Sequence, residues 1–270
     1  MKYLKKLKLL IFLSIPLLGF GQENEDLEES STHRMYISVH GGGFHASKKT
    51  ATYYDGSGDN NIVRIISIPT IYDQIYNKIG YDFYMGDYPL KPRYKIGVNL
   101  GVDAGWWLSE YTALTIGIAY SNLKINETFT FYSDNPANPF GDPLIYPQQI
   151  LGTEQRFQFD LGLHHDVGDN EKYMTFFEWG ANFAALKPVK HEILVENSLR
   201  YNLMYQPNIV NNAPRTEIGF GIYAAMGCRM SFQNNMALDF GIKGYLQKLK
   251  LDDIQGFMFS ELIFLRFVYI

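Results

Sequence analysis

Much of this chain alternates apolar and polar residues one by one. The clearest stretch runs from Thr216 to Arg229. Ile218, Phe220, Ile222, Ala224, Met226 and Cys228 share one face, while Glu217, Gly219, Gly221, Tyr223, Ala225, Gly227 and Arg229 share the other. A period of two is the side-chain period of a β-strand. The stretch is long for a strand of a soluble domain but suits one tilted across a bilayer. Eight stretches of this kind are read at 35–44, 94–107, 112–125, 154–166, 173–186, 215–230, 236–248 and 257–270.

The spacers between them alternate in length. Leu108 to Tyr111, Val167 to Lys172 and Ser231 to Asn235 are short turns, and Gly168-Asp169-Asn170 and Asn234-Asn235 supply turn residues. Residues 45–93, 126–153 and 187–214 are long loops, and 249–256 is shorter. An even number of strands with short turns at one end and long loops at the other predicts an all-β fold: a closed, antiparallel, transmembrane β-barrel with eight strands in up-and-down order. Short turns would face the periplasm and long loops the exterior. A soluble β-sandwich also alternates. However, one face here is made of large hydrophobes strand after strand, as in Ile96, Val98, Leu100 and Val102 or Leu114, Ile116, Ile118 and Tyr120. The opposite faces are too polar and glycine-rich to form a sandwich's solvent skin.

The ends fit export. Lys2, Lys5, Lys6 and Lys8 precede an apolar run from Leu9 to Phe20, and Gly19 and Gly21 supply small residues for cleavage. Residues 1–21 therefore read as a signal peptide and Gln22 as the mature N-terminus. Cleavage removes four lysines and moves the formal charge from −4 to −8, which argues against nucleic acid as a partner. Glu23, Glu25, Asp26, Glu28 and Glu29 make 22–34 an acidic, disordered leader. Beyond the leader, no apolar run is long enough for a transmembrane helix. The single cysteine, Cys228, excludes an internal disulfide.

Aromatic residues make up 16% of the chain and gather near strand ends. Trp106, Trp107, Phe267 and Tyr269 are expected to form the periplasmic belt, and Tyr94 and Tyr120 the outer one. The signal peptide, the eight strands, the loop asymmetry and the last strand Leu262 to Ile270 together resemble the small outer-membrane β-barrel proteins of Gram-negative bacteria, of the PorT-like or OmpX-like kind. The resemblance covers roughly 35–270. It implies an outer-membrane bilayer as environment and the barrel-assembly machinery as a partner that reads the apolar-aromatic last strand. The chain departs from the common pattern by ending in Ile270. Functions across that group are diverse, so the resemblance implies no particular activity.

An eight-stranded barrel has room inside for little but its own side chains. The inward set is expected to include His40, Lys95, Asn99, Arg156, Gln158, Asn182, Tyr223, Tyr245 and Gln247. A network of paired charges is expected among Asp103, Asp160, His164, Glu178, Arg229, Asp239, Lys243 and Arg266, because a buried carboxylate is costly unless paired. Inward glycines such as Gly101, Gly105 and Gly117 would reduce the bulk inside. Glu261 and Arg266 have opposite parity in the last strand, and Arg266 is expected to point inward. The alternative to a filled lumen is a narrow ion pathway.

Candidate chemistry is sparse. His164-His165-Asp166 suggests a metal, but adjacent strand residues face opposite ways. His191, Glu192 and Ser198 are the best catalytic candidates, and a common triplet by chance. Asp55-Gly56-Ser57-Gly58-Asp59-Asn60 looks like the start of a calcium loop but lacks the later glutamate, so a plain turn is expected. No catalytic residue, metal ligand or cofactor is assigned. The first long loop is the expected contact surface, through Tyr72, Tyr76, Tyr81, Phe83, Tyr84 and Tyr88. Its 62–79 segment is expected to form strand extensions. Pro136, Pro139, Pro143 and Pro147 suggest a semi-rigid second loop. The expectation is a non-enzymatic barrel acting through external loops or envelope partners in adhesion, assembly or secretion, with a narrow ion or solute channel as alternative and a lipid-modifying outer-membrane enzyme as a minor one.

Overall fold

The computed structural model describes residues 35–58, 61–134, 141–168, 172–204, 216–232, 235–251 and 254–270. The expected signal peptide and leader, Asp59, Asn60, Pro136, Pro139, Asp169, Asn170 and Asn234 lie outside the described residues. The described residues form ten strands: β1 (Met35–His45), β2 (Phe83–Met85), β3 (Gly97–Trp107), β4 (Thr112–Ser133), β5 (Leu144–Val167), β6 (Tyr173–Val195), β7 (Leu199–Asn202), β8 (Glu217–Ser231), β9 (Met236–Leu251) and β10 (Ile254–Tyr269). Eight of them, all but β2 and β7, pair antiparallel in a closed ring, β1 meeting β3 on one side and β10 on the other.

Residues directly across from one another trace the stagger of this ring. The trace runs from His45 to Glu261, Gly244, Ala224, Trp179, Leu163, Leu114, Trp106 and Met35. One circuit thus returns to β1 ten residues from its start (45 against 35). A stagger of that size tilts the strands by roughly 40° and leaves an interior filled by side chains. The exterior is apolar, with Val98, Leu100, Ile118, Ile222, Phe240, Ile242, Ile263 and Phe267 all exposed. A continuous apolar surface around the whole ring suits a bilayer core and not water.

Three strands are longer than the alternation suggested. β4 pairs with β5 continuously from Thr112↔His165 to Ser133↔Leu144, so most of the expected loop 126–153 is strand. Pro147 lies within β5, opposite Thr130. β6 runs on to Val195, reverses through Glu196 and Asn197, both at positive φ, and returns as β7. β2 adds to the far end of β4. A five-stranded sheet in the order β2-β4-β5-β6-β7 therefore stands beyond the ring on the loop side. The expected boundary failed here because the apolar residues change face: beyond the ring Phe129, Phe131, Ile150, Ile193 and Val195 lie on the inner side of the strands, covered by protein.

Three helices, α1 (Lys48–Ala51), α2 (Ile62–Ile66) and α3 (Pro69–Ile79), sit in the first long connection. The expected strand extensions at 62–79 are thus helices. Ile71, Ile75 and Ile79 recur every fourth residue, Pro69 opens α3, and Gly80 closes it with φ of 83°. Asn61 caps α2 by accepting from the Val63 N–H at 2.7 Å. Ile62, Ile65, Ile66, Ile75 and Ile79 join the buried face of the projecting sheet in one apolar cluster.

Inside the ring, glycines make room for rings of other strands. A Cβ on Gly105 would collide with the Tyr36 ring, and one on Gly101 with the His40 ring. Gly105→Ala is expected to destabilise the refolded barrel by about 1–3 kcal/mol through overpacking. Urea unfolding in liposomes checks this, and unchanged stability would show that Tyr36 does not occupy that space.

Candidate functional site

The ring brings a set of charged side chains from five strands into one buried network. Arg266 on β10 lies against Glu178 on β6 at 2.6 Å and Asp239 on β9 at 2.8 Å. Asp239 takes two hydrogen bonds from Arg229 on β8, Nε at 2.8 Å and Nη2 at 3.0 Å. Arg229 also donates to Asp166 at 2.9 Å. His164 on β5 completes the circuit, with Nε2 2.9 Å from Asp166 and Nδ1 2.9 Å from Glu178. Glu178, His164, Asp166, Arg229, Asp239 and Arg266 therefore form a closed loop of contacts around the lumen. Each is nearly inaccessible to solvent.

A second group adjoins it. Lys243 donates to Asp160 at 3.1 Å and lies 3.9 Å from Glu178. Asp160 also accepts from Asn182 at 2.5 Å and from the Tyr245 hydroxyl at 3.3 Å, and Gln247 donates to Asn182. Asp103 accepts from Ser38 at 3.2 Å and faces His40 Nδ1 at 2.8 Å. The eight charged residues singled out from the sequence are thus all inside. Arg266 is buried, and Glu261, of opposite parity, is exposed beside His45 where β1 ends. Asp166 was missed as a network member. Its position two residues after His164 on one strand was the available signal.

Above this layer the chain plugs its own mouth. α1 and the 3₁₀ turn Thr52–Tyr54 descend from β1, and Thr50, Ala51 and Tyr54 are fully buried against Phe44, Tyr94, Leu123 and Ile125. A polar latch ties this segment to β5. Arg156 donates to Thr50 at 2.8 Å and to Glu154 at 2.5 Å, and Tyr94 donates to Glu154 at 2.6 Å. The Tyr54 hydroxyl also reaches Glu154 at 3.4 Å. Burial, then the Glu154 carboxylate, pushes the Tyr54 hydroxyl well above its ordinary range, so it remains a donor.

Tyr94 is therefore not in an outer aromatic belt, and Lys95 is not inward. The bridge Tyr94↔Ile125 is offset by one residue from Val98↔Asn122, so Lys95 and Ile96 are both exposed. A one-residue bulge flips the parity before β3 and turns Tyr94 into the lumen. Trp107 also leaves the belt: its ring lies 5.9 Å from Tyr36 and 5.9 Å from His164, inside the mouth at the short-turn end. Trp106, Phe267 and Tyr269 face outward, and Tyr120 faces outward against Phe157. Trp179, unremarked in the sequence, is exposed on the same outer surface.

The six aromatic loop candidates divide. Phe83 is buried, stacked 4.7 Å from Tyr72 and 4.9 Å from Phe131, so it is core and not contact surface. Tyr72 and Tyr88 pack against the same cluster, and Tyr81 is half-buried. Tyr76 and Tyr84 remain exposed. The catalytic candidates do not meet. His191 points inward against Tyr53 and Tyr54, Glu192 pairs with Lys190 at 2.8 Å, and Ser198 sits in the exposed turn after β6. His165 faces Thr112 at 2.9 Å, away from His164. Asp55 accepts from the Ser57 N–H at 2.8 Å, a local turn.

Two predictions follow from these placements. Asp239→Asn leaves Arg229 and Arg266 without their shared carboxylate, so the barrel is expected to lose about 3–5 kcal/mol. Urea unfolding checks this, and a loss below 1 kcal/mol would contradict the network's role. His191 is held neutral, its pKa lowered to about 3 by burial. The unfolded chain takes up a proton near pH 6.5 and the folded one does not. Stability is therefore expected to fall as pH drops below 6.5, by about 2 kcal/mol at pH 5. His191→Phe should remove that part of the acid sensitivity, read by unfolding at pH 7 and pH 5.

No family model matches the chain, and no curated protein matches its sequence. Solved structures of similar fold do exist. Neisserial surface protein A is 8% identical, covering 87% of this chain and 96% of its own, with a TM-score of 0.42. Ail, the attachment invasion locus protein of Yersinia pestis, is 10% identical over 88% of this chain and 99% of its own, with a TM-score of 0.36. The outer membrane protein OprG of Pseudomonas aeruginosa is 6% identical over 88% of this chain and 94% of its own, also at 0.36. These neighbours are small outer-membrane β-barrel proteins, the group that the strand pattern of this chain resembles.

Proposed function

We propose that the protein is an integral outer-membrane barrel with a lumen filled by its own side chains, acting through its external sheet and helices on envelope or extracellular partners. Adhesion, assembly and secretion support are roles of that kind. Neither enzyme chemistry nor nucleic-acid binding enters this reading. The barrel-assembly machinery is its partner during biogenesis, and the bilayer its permanent environment.

One observation carries the proposal. Two successive barriers cross the lumen: the closed circuit through Arg229, Asp239, Arg266 and Glu178, and the buried segment around Thr50 and Tyr54 latched to Glu154 and Arg156. Moving an ion past them would mean breaking buried charge pairs, each costing several kcal/mol. The chain also places its elaboration on one side of the ring. Short turns close the other, the arrangement of barrels that keep long connections outside. On that outer side Tyr76 and Tyr84 are the exposed aromatic contacts of the tyrosine set.

The refolded chain, inserted in a planar bilayer and verified by heat-modifiable gel migration, is expected to pass no measurable current. Stable, ion-selective openings would replace this reading with a channel, and Asp239→Asn would then shift selectivity.

A further inference from the structure

Where the strands rise beyond the ring, the outer face carries a row of lysines, of which one has a carboxylate partner. The Lys95 N–H donates to the Lys124 carbonyl at 2.8 Å, so these two residues stand opposite each other. Lys124 is opposite Thr153, and Thr153 is opposite Lys190. All four face outward, because their neighbours Tyr94, Ile125, Glu154 and His191 are buried on the inner face. Like charges directly across a strand pair repel. Lys190 is partly neutralised by Glu192 at 2.8 Å, whereas Lys95 and Lys124 have no ion pair among the described residues. The whole chain carries a formal charge of −4, so this basic row runs against its average.

Position gives the row its meaning. Below it on the same strands, past Asn122 on β4, Gln155 on β5 and Lys187 on β6, the outer surface turns apolar: Ile96 and Val98 before and within β3, Ile118 on β4, Phe157 on β5 and Phe183 on β6. The cations therefore lie above the surface that suits acyl chains, separated from it by a short polar belt. An anionic headgroup at this level would bridge Lys95 and Lys124 while its chains ran down the apolar band.

We propose that Lys95, Lys124 and Lys190 form a binding site for a phosphorylated lipid of the outer leaflet, holding phosphate groups against the barrel at the membrane boundary. Each lysine contributes electrostatic attraction, and adjacent strands roughly 4.8 Å apart set the cations at a spacing that one phosphate can span. The site rests on the outer-membrane reading above.

The test uses the full chain in phosphatidylcholine vesicles containing either diphosphoryl lipid A or its fully dephosphorylated form. After gentle detergent extraction, native mass spectrometry counts the glycolipid retained on each barrel. Diphosphoryl lipid A is expected to remain bound and the dephosphorylated form to be lost. The variant Lys95→Gln/Lys124→Gln/Lys190→Gln should weaken retention about fivefold per lysine, while Lys248→Gln/Lys250→Gln on the opposite side leaves it unchanged. Equal retention of both glycolipids, or full retention by the triple variant, would overturn the site. Heat-modifiable migration on the same samples reports insertion separately. Insertion without lipid retention sinks the lysine row alone, and failure to insert sinks the membrane reading with it.

Discussion

Closure of the strand ring is the constraint from which the rest of this structure follows. β1 hydrogen-bonds to β3 on one side and β10 on the other, so the ring of eight strands has no open edge, while beyond it β2 and β7 border the projecting sheet. With the backbone ladders of the ring closed on themselves, the outer surface is free to be almost wholly apolar. The same closure fixes a narrow interior. Polar side chains that alternate with the apolar ones have nowhere to go but into it.

That confinement explains the chemistry of the lumen. Arg229, Arg266 and Lys243 cannot reach water, and neither can Glu178, Asp160 or Asp239. Asp239 meets Arg229 and Arg266 directly opposite it on the neighbouring strands, whereas Arg229–Asp166, Lys243–Asp160 and Arg266–Glu178 join strands that do not neighbour each other in the ring. The glycines beside Tyr36 and His40 belong to the same solution, since large rings and guanidinium groups fit only where a neighbouring strand offers no side chain. A network assembled this way specifies the strand register: a shift by one residue would turn its charges to the outer surface.

Beyond the ring the physics changes. β4, β5 and β6 continue upward, and their inner faces no longer meet a polar lumen. They are covered by α2, α3 and the ends of β2 and β7, forming an apolar cluster around Phe129, Phe131 and Ile150. The latch of Thr50, Arg156, Glu154 and Tyr94 joins this upper body to the barrel interior. One polypeptide thus presents three surfaces: an apolar band, a cationic row above it and an aromatic, partly exposed outer sheet.

The sequence by itself determined the barrel. Period-two alternation, repeated eight times with unequal spacers, states strand, face and topology, because lipid and lumen impose opposite demands on successive residues. It also identified the inward charges, since parity alone separates Asp239 from Leu238 and Arg229 from Met230. Tertiary structure decided what parity cannot express. The bulge before β3 reversed the facing of Tyr94 and Lys95, and nothing local marks it. Trp107 shares its strand's inward parity, and a tryptophan at a strand end suits a belt equally well, so only packing against Tyr36 and His164 separates the two. The helices at 62–79 arose because a helix, unlike a strand extension, lays Ile71, Ile75 and Ile79 on one face where the projecting sheet needed cover. Pairings such as Glu178 with Arg266 depend on how ten residues of stagger bring distant strands to one level. Only closure of the ring sets that number.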